Sequence, residues 1–202
     1  MKIAILIEGE TESVFLPFLR NFLGPRLHGR MPRLIQSKYD GRIPKGDKLR
    51  RRVEALLRGK DPDADHVVAL TDVYTGSDDF LDAADAKEKM HSWVGPEPRF
   101  HPHAAQHDFE AWLLPYWEDI QRLAKHNRAA PGGRPESVDH NRPPSYRIKE
   151  IFNTGRSPRD YVKTRDAKRI LEGKDLNIAV QACPELKALI NTILTLSGGQ
   201  PI

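Results

Sequence analysis

Apolar and polar positions alternate along this chain in two rhythms, one of short continuous runs and one of helical stripes. Residues 3–7, Ile3-Ala4-Ile5-Leu6-Ile7, form an unbroken apolar run closed by Glu8-Gly9. That is the pattern of a short strand buried on both faces of a parallel sheet. Val14, Phe15, Phe18, Leu19, Phe22 and Leu23 then recur at helical spacing. Thr11 or Ser13 is expected to cap this helix, Pro17 to fall near its first turn, and Gly24-Pro25 to end it. A second strand is predicted over 33–37. A helix capped by Asp47 carries Leu49, Val53, Leu56 and Leu57 and stops at Gly59. The run 66–71 reads as a central strand ending at Asp72. An acidic helix over 78–92, a strand over 99–105 and a helix from Asp108 to Leu123 follow.

This strand–helix alternation predicts an α/β layer architecture with a mainly parallel sheet flanked by helices. The stretch 129–146 is rich in proline and glycine and reads as a loop. Helices are predicted over 146–152, 164–172 and 184–196, the last with Pro184 in its first turn. The expected organisation is an α/β domain over 1–128, the loop over 129–146, and a helical C-terminal extension over 147–202 packed on the same domain.

Composition narrows the classes. The chain has 202 residues, 39% hydrophobic and 30% charged, and no apolar run near the ~20 residues that span a bilayer. The first apolar run is too short for a signal peptide. Cys183 is the sole cysteine, which excludes an internal disulfide and a cysteine-based zinc finger; a cytoplasmic protein is expected. Charge is uneven. Residues 61–90 carry nine acids against two lysines, and residues 121–174 carry fourteen Lys/Arg against six acids. An acidic centre beside a basic flank suits a metal-dependent enzyme acting on a polyanion, although two solvated faces of opposite sign would look the same.

The candidate chemistry lies at strand ends. In an open α/β sheet, ligands bind in the crevice at the carboxyl ends of the strands. Glu8 follows the first strand, Gly9 permits a tight turn, and Glu12 follows one helical turn after Glu8. Asp72 ends a later strand. If the two strands are neighbours, Glu8 and Asp72 share one crevice about a strand spacing apart, ~5 Å. Carboxylates that close repel unless a cation lies between them. Hard oxygen donors favour Mg²⁺ or Mn²⁺. Glu10 reads as a helix-terminus acid only. His101, His103 and His107 match no zinc spacing and read as strand-lining or exposed. Lys45, Lys48 and Arg51 on and before the second helix, and Arg165 near the C-terminus, are candidate nucleic-acid contacts.

Glu8-Gly9-x-Thr11-Glu12 after a first apolar strand, with Asp72 after a later one, resembles the Toprim domain, most closely the version in overcoming-lysogenization-defect (OLD) nucleases. The segment Gln106-His107-Asp108-Phe109-Glu110-Ala111-Trp112-Leu113-Leu114 is similar to that of a stand-alone bacterial Toprim-like family, domain of unknown function 4276. So is the tail from Ala167-Lys168-Arg169-Ile170 to Ala182-Cys183-Pro184-Glu185-Leu186.

The resemblance implies a Mg²⁺- or Mn²⁺-dependent endonuclease acting on DNA or RNA. It also implies an ABC- or SMC-like ATPase partner and a role in defence against phage; a homo-oligomer is compatible with it. Glu8 matches the invariant Toprim glutamate, Glu12 the second acid of the OLD-type motif, and Asp72 the first aspartate of Asp-x-Asp. The second position of that motif is Tyr74, so Asp78, Asp79 or Glu110 is expected to supply the missing ligand. Asp108 and Glu110 face apart on an α-helix, and Glu110 is preferred because Trp112 and Leu113 anchor that helix to the core. Lys168 is assigned beside the metal to stabilise transition-state charge. The alternative is a non-catalytic Toprim-like regulatory or nucleic-acid-binding subunit that has lost its metal.

Overall fold

The computed structural model describes residues 1–39, 41–58, 60, 62–73, 79–138 and 142–202. Gly59, Asp61, Tyr74 and Asp78, which entered the sequence reading, lie outside the described residues. Four parallel strands form one sheet in the order β2-β1-β3-β4: β1 Lys2–Ile7, β2 Arg33–Lys38, β3 His66–Asp72 and β4 Phe100–Ala105. This is the expected mainly parallel, helix-flanked architecture. The helices are α1 Glu10–Leu27, α2 Asp47–Leu57, α3 Ala83–Val94, α4 Trp117–Ala124, α5 Pro144–Thr154, α6 Lys163–Leu171, α7 Asn177–Ala182 and α8 Pro184–Leu196. None of the described helices is long and apolar enough to cross a membrane.

Alternation along β1 explains why its apolar run is continuous. Ile3, Ile5 and Ile7 join Val68 and Leu70 in a core built with α1 and the C-terminal helices. Ala4 and Leu6 join Val67, Ala69 and Phe100 against Leu49 and Val53 of α2 and Met90 of α3. Both faces of a parallel sheet are covered, so neither face can be polar. The helices after residue 142 contribute Ile148, Phe152, Ile170, Leu186 and Ile190 to the first of these cores.

Three local expectations are corrected, and one short helix is added. α1 starts one residue earlier than its candidate caps: Gly9 is the N-cap, and Glu12 closes the turn by accepting the Gly9 backbone N–H at 3.1 Å. Pro17 and Pro25 both lie inside α1, which continues to Leu27 and ends with His28 in the left-handed region. Gly24 lacks the Cβ that would collide with the Pro25 ring, so Pro25 ends nothing. Residues 109–116 form a 3-10 helix instead of an α-helix, and α4 begins only at Trp117. α7, with its six residues, was too short to show a helical period.

Candidate active site

Register decides which side chains meet at the carboxyl end of the sheet. Ile7 pairs with Leu70, so the next residue along, Glu8, stands opposite Thr71, with Asp72 one step beyond. The Thr71 hydroxyl donates to the Glu8 carboxylate. The backbone N–H of Asp72 also favours the Glu8 anion. These contacts are outweighed by burial, which raises the Glu8 carboxyl to about 7, with the Glu12 charge adding to the rise. Thr71, which has no expected role, therefore stands directly opposite Glu8, and its hydroxyl also lies 3.3 Å from the Asp72 backbone carbonyl.

Three further carboxylates converge there. Glu12, on the first turn of α1, is raised by burial and by the charge of Glu110. Asp72 is pushed well above the usual carboxylate range by burial, then by Glu12, Glu8, Asp108 and Glu110 in turn. Asp108 is raised to about 7 by burial and by Glu110. Both Asp108 and Glu110 are buried, and Glu110 is 0% exposed. The choice between them rested on α-helical geometry. Asp108 is instead an extended N-cap residue and the turn that follows is 3-10, so the two contribute to one site. Ser145, at the start of α5, donates its backbone N–H to Asp108 Oδ2 at 3.1 Å.

A cluster of acids this dense needs a cationic counterweight, and the lysine of α6 that lies against it is Lys163 and not the expected Lys168. Lys163 places its ammonium 3.3 Å from Glu110. Burial pulls this lysine down, but Glu110, Asp72 and Asp108 outweigh it and hold it above the ordinary lysine value. Tyr161 donates to Glu110 from 3.5 Å. Lys168 is exposed, about 140° further around α6 from Lys163. The segment is held by Asp166, which is buried. It accepts from Arg159 at 2.7 and 3.0 Å, from Arg165 at 3.0 and 3.1 Å and from the Val162 backbone at 2.9 Å.

The remaining candidates lie elsewhere. Lys45 pairs with Asp79 at 2.5 Å, as Arg42 does at 2.6 Å, so Asp79 is engaged by two cations. Lys48 and Arg51 are exposed on α2. Arg165 is turned to Asp166. His101 sits 3.2 Å from His66, and His103 sits 3.0 Å from Thr192.

Among the described residues, no group of three or more His, Cys, Asp or Glu side chains is placed to hold a metal ion. The donor chemistry nevertheless fits a hard divalent cation. All five acids offer oxygen, their mutual repulsion is offset by the half-exposed Lys163 and, at Glu8, by Arg42, and the buried Asp108 Oδ1 has no hydrogen-bond partner.

A four-stranded parallel sheet covered by helices on both faces, with acids gathered at its carboxyl end, defines a layered α/β protein. The chain belongs to the family described as Domain of unknown function (DUF4276), matched over residues 7–194. Its fold is similar to the C-terminal region of the Burkholderia pseudomallei OLD protein, with a TM-score of 0.57 at 11% identity, covering 97% of this chain and 98% of that one. It is also similar to the C-terminal region of the Xanthomonas campestris pv. campestris OLD protein, with a TM-score of 0.50 at 15% identity, covering 97% and 96%. No curated protein matches the chain.

Proposed function

We propose that this chain is a divalent-metal-dependent nuclease that cleaves phosphodiester bonds of DNA or RNA. The observation that supports this reading is the convergence of Glu8, Glu12, Asp72, Asp108 and Glu110, from three separate stretches of chain, around Lys163. Glu8, Glu12, Asp72 and Glu110 would hold Mg²⁺ or Mn²⁺, with Asp108 as a fifth donor. When bound, such an ion supplies Lewis-acid polarisation of a phosphoryl oxygen and lowers the pKa of water.

The chain's own groups supply the rest. Lys163 neutralises charge that builds on the phosphoryl oxygens, because its ammonium is already fixed at the mouth of the cluster. Glu8, with its carboxyl near 7, is suited to take or give a proton at neutral pH, and Thr71 fixes its orientation. Asp166 acts through Arg159 and the Val162 backbone to hold the start of α6, and so positions Lys163.

An ABC- or SMC-like ATPase partner and a role in defence against phage follow from the family resemblance. The similar solved structures are C-terminal regions of larger proteins. The second reading, a metal-free regulatory or nucleic-acid-binding subunit, is favoured by Tyr74 in place of the second Asp-x-Asp acid.

The test is cleavage of plasmid, linear DNA and RNA with Mn²⁺, with and without a purified ABC- or SMC-like ATPase. Cleavage abolished by Glu8→Gln and Asp72→Asn supports the nuclease. Cleavage that survives both substitutions removes the cluster from the chemistry.

A further inference from the structure

We infer that the exposed face of α5 is a track for one strand of a nucleic-acid backbone, leading away from the carboxylate cluster. This deepens the nuclease reading and rests on it for the direction of the track. α5 starts at the cluster, because Ser145 donates its backbone N–H to Asp108. Tyr146, Lys149 and Asn153 are exposed and fall at i, i+3 and i+7, one face of the helix. Tyr146 is 48% exposed, and the Arg142 guanidinium lies 5.9 Å from its ring centroid. An aromatic ring beside cations, with a polar amide further on, is the composition that stacks a base and neutralises phosphates without reading sequence. Glu150, the only acid in α5, flanks this face and is neutralised by Arg128 at 2.9 Å.

The far end of the track is built by close packing. A Cβ on Gly155 would lie 1.9 Å from the Ala124 carbonyl oxygen, so only glycine lets the ends of α4 and α5 touch here. That contact puts Arg156 beside Lys125, with the Arg156 backbone N–H donating to the Lys125 carbonyl at 3.1 Å. Both side chains are exposed on the rim of one surface groove. From Ser145 to Gly155 is ten residues, about 15 Å of helix. That matches about four stacked steps of one strand measured along a duplex axis, at ~3.4 Å each. By contrast, Lys45 and Arg165 are engaged by Asp79 and Asp166.

The test is fluorescence anisotropy with a fluorescein-labelled single-stranded DNA, its duplex and an RNA of the same sequence, in EDTA so that no cleavage intervenes. The triple variant Lys125→Glu, Lys149→Glu, Arg156→Glu is expected to bind at least about tenfold more weakly. Its dependence of log K on log salt should be shallower by roughly 2. Tyr146→Ala should weaken single strands by about fivefold and duplex less. Wild-type affinity and salt slope in the triple variant would overturn the track, as would loss of binding confined to Lys48→Glu and Arg51→Glu on α2. If binding depends on α5 but wild-type protein with Mn²⁺ cleaves nothing, with or without the ATPase, the track stands and the nuclease reading falls.

Discussion

Lys163 and Glu110 face each other at 3.3 Å, the lysine half exposed and the glutamate wholly buried. The asymmetry determines what each substitution does. Lys163→Met removes the cation and leaves a buried carboxylate among four others. Solvent reaching the lysine limits the loss to about 1 kcal/mol, read by urea unfolding in EDTA. Glu110→Gln in the same chain should recover most of it, giving a coupling energy between the two positions. Two independent, additive losses would show that the pair is not coupled.

Asp166 joins Arg159, Arg165 and the Val162 backbone from a buried position. Burial alone would raise its carboxyl, but the two guanidinium groups outweigh burial and bring it down to about 2. Asp166→Asn keeps the shape but not the charge. It should cost about 3 kcal/mol, and lower Tm by roughly 6–12 °C for a chain of this size. Cleavage should fall further than folding explains, because Lys163 loses its anchor. An unchanged Tm would remove Asp166 from this role.

Gly155 has φ −68° and ψ 172°, values open to any residue. Its requirement is therefore one of space. Gly155→Ala drives a methyl into the Ala124 carbonyl and should cost about 2 kcal/mol or more. Thermal unfolding that matches wild type would show that α4 and α5 separate without penalty.

His103 is buried against Thr192, and burial brings its imidazole down to about 3. The unfolded ring titrates near 6.5, so between pH 6.5 and 3 the unfolded chain binds the extra proton. Stability is full above 6.5 and falls as pH drops through that window, by roughly 3 kcal/mol at pH 4. His101, lowered to about 4 by burial and by His66, acts in the same direction. His103→Gln should flatten the Tm profile between pH 6.5 and 4. A slope equal to that of wild type would contradict this.

The sheet was legible because strands buried on both faces leave continuous apolar runs, as in Ile3–Ile7 and Val67–Leu70. Glu8, Glu12 and Asp72 were legible because they sit where such runs stop. Asp108 was set aside because the sequence does not distinguish a 3-10 turn from an α-helix, and the face of each residue depends on that difference. Thr71 was hidden by a one-residue offset in register, which is fixed by pairing between strands 63 positions apart. Lys163 and Lys168 belong to the same basic helix. Which of them faces the acids is set by the buried face of α6, Ala167, Ile170 and Leu171, and by the anchoring of Asp166 to Arg159, Arg165 and the Val162 backbone.

Thermal unfolding with and without Mn²⁺ reads the cluster's affinity for a cation directly. At a Mn²⁺ concentration about a hundredfold above Kd, binding to the folded chain adds about 2.7 kcal/mol, or roughly 5–10 °C in Tm. That rise is expected in the wild-type chain and is expected to disappear in Glu8→Gln and Asp72→Asn. A wild-type Tm indifferent to Mn²⁺ and Mg²⁺, or a rise that both variants retain in full, would contradict this.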